Sequence, residues 1–222
     1  MTILLSLSGG LDSASLLGLF KESGIGVIGV SFNYGAKHNK YENQAARDVA
    51  DYYDTELIEM DITGVMEPFK SNLLLTGGDI PEGHYEADNM KSTVVPARNM
   101  IFLSIMTGLA ISKECHTISL GVHGGDHAIY PDCRPEFIDA MAGVVDLVSE
   151  ANVQLTTPFL FFNKANIIKE VCQFKKAVPF HLTRTCYKDQ ELACGKCGSC
   201  IERLEAFGKN HLFDLVEYER SI

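Results

Sequence analysis

The six residues Ser8-Gly9-Gly10-Leu11-Asp12-Ser13 constrain this chain more than any other segment. They join a short apolar run, Thr2 to Leu7, to a stretch with helical spacing of apolar residues, Asp12 to Lys21. A buried strand that breaks at two glycines and restarts as a helix belongs to a parallel α/β sheet. The glycines allow a tight turn with exposed amides, the helix start adds partial positive charge, and the serines add donors. These are the parts of a phosphate cradle. No Lys-Ser/Thr follows the glycines at the spacing of a Walker loop. A capped turn with no ligand is the plain alternative.

The alternation continues. Val27–Phe32, Thr55–Ile62, His116–Val122 and Val153–Thr156 read as strands. Asn39–Tyr52 reads as an exposed helix, and Ala97–Lys113, Arg134–Glu150 and Lys164–Phe174 as further helices. The expected fold is a mostly parallel five-stranded sheet with helices on both faces, its ligand site beyond the carboxyl ends of the strands. Between residues 63 and 93 the pattern lapses into a Gly- and Pro-containing excursion, with a short helix expected at Val65–Lys70. Excursions of that length usually serve a site. Residues 1–180 are expected to form the α/β domain, and residues 181–222 a small C-terminal module.

That module carries Cys186, Cys194, Cys197 and Cys200, spaced Cys-x7-Cys-x2-Cys-x2-Cys with glycines at the turns. Four thiolates suit one structural zinc in a closed site, with an iron–sulfur cluster as the alternative. Seven cysteines in a chain that shows no export signal favour reduced thiols and a cytoplasmic setting over disulfides. The net charge of −10 argues against direct binding of nucleic acid or an anionic membrane. The apolar stretch Met100–Ile111 is short of the ~20 residues a bilayer requires and reads as a core helix.

The glycine hexad resembles the signature loop of the ATP pyrophosphatase superfamily, whose fold is of the adenine nucleotide alpha hydrolase type. Two internal segments narrow the resemblance: Val95-Pro96-Ala97-Arg98-Asn99-Met100-Ile101-Phe102-Leu103-Ser104 and Tyr130-Pro131-Asp132-Cys133-Arg134-Pro135-Glu136-Phe137. With Phe32-Asn33-Tyr34-Gly35, Thr157-Pro158, Asn163-Lys164 and Thr185-Cys186-Tyr187, they are similar to hallmarks of the 7-cyano-7-deazaguanine synthase family, in order from about residue 3 to about residue 207. Leu11 departs from it, standing where many members carry Gln.

The resemblance implies ATP-dependent conversion of 7-carboxy-7-deazaguanine and ammonia to the nitrile, through adenylated carboxylate and amide. It implies magnesium beside ATP and a homodimer. ATP would lie on the stretch Leu7, Ser8, Gly9, Gly10, Leu11, Asp12, Ser13, Ala14, Ser15, Leu16 and Leu17, with Asp12 and Ser13 at the reacting phosphate.

Arg98, a cation at a helix start, calls for an anionic partner, and Lys164 is a second candidate for phosphate charge. Tyr130, Asp132 and Arg134 are candidate substrate contacts, although Asp132 would serve equally as a helix cap. His123 and His127 with Asp126 invite a second metal site, but a glycine-rich loop with exposed histidines is the plainer expectation. Enzymes that stop at the amide, or that pass the deazaguanine to another nucleophile such as a protein amine, would share these motifs. So would a non-catalytic zinc-bearing interaction module.

Overall fold

The computed structural model describes residues 2–150 and 152–219. Five strands form one sheet: β1 (Thr2–Ser6), β2 (Gly26–Asn33), β3 (Glu56–Asp61), β4 (Thr117–Ser119) and β5 (Gln154–Thr156). Their order is β3-β2-β1-β4-β5, and every pairing is parallel. The chain runs outward from β1 in one direction through β2 and β3, then returns to β1's other side for β4 and β5. The order therefore reverses between β1 and β4, and in such sheets the crevice at that reversal is where ligands bind.

The helices are α1 (Leu11–Glu22), α2 (Asn39–Tyr52), the single turn α3 (Thr63–Met66), α4 (Arg98–Ser112), α5 (Pro135–Val148), α6 (Lys164–Val171) and α7 (Gly198–Lys209). They cover both faces of the sheet. One core cluster joins α4 and α5 to β4 through Leu103, Met106, Ile118, Met141 and Val145. The other joins α1, α2, α6 and α7 through Leu16, Leu17, Val49, Ile167, Ile168 and Phe207. Burying each such side chain is worth about 1.5–3 kcal/mol.

The expected strands and long helices are present, with differences at their ends. β4 pairs only as far as Ser119 because Gly121 then passes the glycine loop, where a Cβ would sit 3.2 Å from the Asp12 carbonyl carbon and the Ser13 nitrogen. α2 is not simply exposed, since Ala45, Ala46, Val49 and Ala50 form a buried face. The short helix of the excursion lies at Thr63–Met66, earlier than Val65–Lys70. α7 has no counterpart in the elements expected from sequence. Asp88–Ser112 is long and apolar enough in composition to cross a membrane. It is broken by extended Val94 and left-handed Ala97, and its buried residues Phe102, Leu103, Met106 and Ala110 lie in the core.

The excursion folds back under the cysteine segment. Glu82 bridges Cys197, the Gly83 N–H donates to the Lys196 carbonyl, and Lys188 Nζ lies 2.6 Å from Glu82 Oε1. The four cysteines and Ala193 form their own small buried cluster, while Ala206 and Phe207 of α7 join the main core.

Candidate active site

A cleft of about 1040 Å³, counted to its open mouth, lies at the carboxyl ends of β1, β2 and β4. Its floor is the glycine loop. Gly9 has φ +83°, and a Cβ there would come within 2.4 Å of the Ala46 nitrogen and 2.5 Å of the Glu42 carbonyl oxygen. Only glycine meets both conditions. Ser8 Oγ accepts from the Gly10 N–H and lies 3.2 Å from Ser13 Oγ. No side chain caps α1, and the first amide to find a helical partner is Ala14, which donates to Gly10. The amides just before it face the cleft unspent, as an anion site requires.

Of the stretch Leu7 to Leu17, the structure brings Ser8, Gly10, Leu11, Asp12 and Ser13 to the cleft. Leu7, Ala14, Ser15, Leu16 and Leu17 are fully buried behind it, and the Gly9 carbonyl accepts from the Arg184 N–H.

Lys164 lies across from the loop at the start of α6, where Asn163 caps the helix by accepting from the Asn166 N–H at 2.8 Å. A cation at this end opposes the helix dipole. Carboxylates offset that: Lys164 Nζ is 2.7 Å from Asp12 Oδ2 and 3.3 Å from Glu202 Oε2. It is also 3.1 Å from His123 Nε2. Burial works against the ammonium charge, but Asp12 and Glu202 hold it above the ordinary lysine range. Burial likewise opposes ionisation of Asp12, yet Lys164, then His123, keep its carboxyl below the ordinary range. Asp12 Oδ1 is buried with no hydrogen-bond partner. An orphaned carboxylate oxygen fits a divalent cation, and the free amides fit the phosphates such a cation would accompany.

His123 corrects the expectation of an exposed histidine, for it is 1% exposed. Its Nδ1 accepts from the Gly125 N–H, and Asp126 accepts from the His123 N–H in return. This closed turn aims Nε2 at Asp12, Asp126 and Glu202, at 3.6 to 3.9 Å. His127 lies on the same turn, and Asp126 accepts from the Tyr85 hydroxyl.

The far wall is aromatic. Arg98 begins α4 directly after Ala97, a non-glycine residue held at φ +53°. Its guanidinium donates to the Tyr34 hydroxyl at 3.3 Å and lies 5.7 Å and 6.0 Å from the Tyr34 and Tyr130 ring centres. The Tyr130 hydroxyl meets those of Thr93 and Tyr187. Asp132 and Arg134 do not join this wall. Asp132 Oδ2 accepts from the Asn99 N–H at 2.8 Å, capping α4 from 33 positions away, and exposed Arg134 donates through Nε to the His127 carbonyl.

Several cleft residues had no place among the expected contacts: His38, Glu42, Tyr85 and Arg184, and neither did Glu202, which reaches Lys164 from the neighbouring pocket. A signal existed for His38 and Glu42, which share one helical face at i, i+4 spacing. Glu202 lies on α7, the helix that sequence pattern did not show.

Cys186, Cys194, Cys197 and Cys200 converge outside the cleft, each buried, with all four sulfurs within 4.8 Å of one another. The N–H groups of Lys196 and Cys197 donate to Cys194 Sγ, and that of Cys194 to Cys186 Sγ. The Cys186 thiol, then Cys197 and Cys200, hold Cys194 far below the ordinary thiol range, while the same crowding pushes Cys200 far above it. Four sulfurs this close ionise together only around a cation, so the donor set fits a closed structural metal site.

Comparison with known proteins agrees with the motifs. The family model described as queuosine biosynthesis protein QueC matches residues 2–211. A protein of Hahella chejuensis named 7-cyano-7-deazaguanine synthase is 44% identical over 212 residues, covering 96% of this chain and 90% of that one. Proteins of the same name from Pseudoalteromonas atlantica and a Marinomonas species are 43% and 44% identical, each across 96% of this chain and 96% and 95% of their own.

Proposed function

This chain belongs to the QueC family, and on that premise we propose that it is a 7-cyano-7-deazaguanine synthase that joins ammonia to 7-carboxy-7-deazaguanine at the cost of ATP. The observation that carries the reading is the juxtaposition, in one cleft, of a glycine loop with free amides and an aromatic wall holding Arg98. The substrate carboxylate, paired with Arg98, attacks the α-phosphorus of ATP and expels pyrophosphate onto the loop. Ammonia displaces AMP to give the amide. The amide oxygen repeats the attack on a second ATP, and loss of AMP with the N–H protons leaves the nitrile.

Both steps present a carbonyl oxygen to the same phosphorus, so one site serves both. The loop amides, Ser8, Ser13 and Lys164 stabilise pyrophosphate charge as it develops. When ATP enters, Lys164 turns from Asp12 toward phosphate, and Asp12 is released. Asp12 would then hold the magnesium that neutralises the polyphosphate. The flat deazapurine stacks between Tyr34 and Tyr130.

The four cysteines hold one zinc, and the segment from residue 181 to residue 219 forms the module it stabilises. Its place is structural, since no thiol of the set lines the cleft. Exposed Val144, Leu147 and Val148 on α5 support a homodimer. The small-molecule substrates are those of a cytoplasmic enzyme.

Mass spectrometry after incubation with ATP, magnesium, ammonium and 7-carboxy-7-deazaguanine tests the reading. The expected product is the nitrile with two AMP released. Added amide should be converted without ammonia and with one AMP. An enzyme that accumulates amide and leaves added amide untouched is an adenylating relative that stops one step early.

A further inference from the structure

We propose that Glu42 is the proton acceptor of this reaction, taking a proton from the attacking ammonia and from the amide nitrogen, with Asn39 and His38 holding it in place. The inference deepens the reading above and rests on it. Glu42 lines the cleft together with the glycine loop and the Arg98–Tyr34 wall. Its backbone carbonyl abuts Gly9, where a Cβ would come to 2.5 Å, so the residue overhangs the phosphate loop. Its side chain faces Arg98 and Tyr34, the wall assigned to the deazapurine. With ATP on the loop and the deazapurine on that wall, Glu42 would lie beside the bond formed between the α-phosphorus and the substrate oxygen.

The placement is held from below. Asn39, at the start of α2, accepts from the Tyr34 and Ala36 N–H groups and donates to the Phe32 carbonyl. This ties α2 to the end of β2 and fixes His38 and Glu42 on the inner face. Glu42 Oε2 accepts from Asn39 Nδ2 at 3.5 Å and lies 3.5 Å from His38 Nε2, and the carboxyl is 17% exposed.

The chemical state of the pair follows from its neighbours. Buried carboxylates ordinarily have a cation as partner. Among the described residues Glu42 has none within ion-pair distance except His38. Neither of the two nearby guanidiniums pairs with it. Arg98 donates to Tyr34, and Arg184 donates to the carbonyls of Lys188, Gln190 and Glu191. Burial pushes the Glu42 carboxyl up to about 7, with Arg98 and Arg184 pulling it back. Burial, then Arg98 and Arg184, push His38 down to about 3, so the imidazole stays neutral. A carboxyl that titrates near neutrality beside an uncharged imidazole is suited to accept and release protons in each turnover.

The proposed chemistry consumes such a group twice. In amide formation the ammonia lone pair attacks the acyl carbon, the C–O bond to AMP breaks, and the surplus N–H proton passes to the Glu42 carboxylate. In nitrile formation the adenylated amide carries a C=NH2 cation. One proton passes to water to give the neutral imidate. The second leaves to Glu42 as its N–H pair forms the third C–N bond and the C–O bond to AMP breaks. Glu42 returns its proton to water between steps, and no oxidant or reductant is involved. Asp12 cannot fill this role, because Lys164 holds it ionised as a weak base.

The test separates adenylation from proton transfer. ATP–pyrophosphate exchange with 7-carboxy-7-deazaguanine, measured without ammonia, reports the first half-reaction alone. Glu42→Gln should keep this exchange within about threefold of wild type while nitrile formation falls on the order of 10²-fold or more. The wild-type rate should rise with pH through about 7, and the variant should lose that limb. Glu42→Ala should regain part of its activity with added formate, which a merely structural residue would not show. Wild-type turnover with an unchanged pH limb in Glu42→Gln overturns the assignment. So does loss of exchange together with turnover, which would make Glu42 a nucleotide contact. Should wild-type protein itself show no exchange, the proposed function fails first, and that outcome is visible before any variant is made.

Discussion

Two buried ion clusters meet neighbouring residues of α7, and they differ in how completely they are satisfied. Arg203, 1% exposed, spends every guanidinium donor: on both oxygens of Asp214, on the hydroxyls of Thr183 and Thr185, and on the Phe180 carbonyl. Asp214 is completed by the Tyr218 hydroxyl and the Val216 N–H. One residue earlier on the same helix, Glu202 belongs to the other cluster. There Lys164 and His123 serve three carboxylates, and Asp12 Oδ1 has no hydrogen-bond partner. Buried charge is costly unless fully paired. The finished cluster therefore reads as architecture, and the unfinished one as a site whose last partners arrive with the ligand.

The sharpest way to break this contrast is Arg203→Met. It leaves Asp214 buried without its cation, and removal of one partner of a buried pair costs about 3–5 kcal/mol. Denaturant unfolding should show that loss, while turnover per folded molecule stays close to wild type. Asp12→Ala should do the reverse. AMP formation should fall by about 10²–10³-fold, equivalent to about 2.7–4 kcal/mol of transition-state stabilisation. The melting temperature should move less than in Arg203→Met, because Glu202 still pairs with Lys164 when Asp12 is gone. Equal destabilisation by the two variants would erase the distinction.

A smaller effect separates the clusters by pH. Burial raises the Asp214 carboxyl, but Arg203 outweighs it and holds the group below its unfolded value. Its stabilisation is therefore present above the ordinary carboxylate range, near pH 4, and is lost as pH falls through the lower folded value. Acid unfolding of wild type should show this dependence, and Arg203→Met should flatten it. The smallest change is expected at the surface. Arg47 and Glu59 meet at 2.6 Å but are about half exposed. Arg47→Ala should shift stability by less than ~1 kcal/mol.

The same contrast explains what was legible in the sequence. The glycine loop and the four cysteines could be read because their chemistry is local, with consecutive amides in one case and closely spaced thiols in the other. Asp132 could not be resolved between cap and ligand, because the helix it caps is α4 rather than the one that follows it. His123 looked exposed because glycines flank it, yet those glycines let it fold inward against Lys164. Glu42 was hidden by the polar sequence of α2. Its buried face is lined by alanines, a weak hydrophobic signal, and so the inward direction of a glutamate on that face went unseen. α7 was missed because a cysteine cluster runs into its first turn.

The ion pair between Lys164 and Asp12 joins residues 152 positions apart. On a ribosome adding ~5–20 residues per second, the glycine loop waits roughly 8–30 s for that lysine. Glu202 and the cysteines emerge later still. The first segment to be made is thus among the last to acquire its counter-charges, and through most of synthesis the nascent chain has a phosphate loop without the groups proposed to work beside it. A truncated product ending before α6 would retain the strand, turn and glycines of a nucleotide site. It would lack the lysine that keeps Asp12 ionised, so premature termination yields a fragment that resembles the enzyme at its amino end and has no means of turning over.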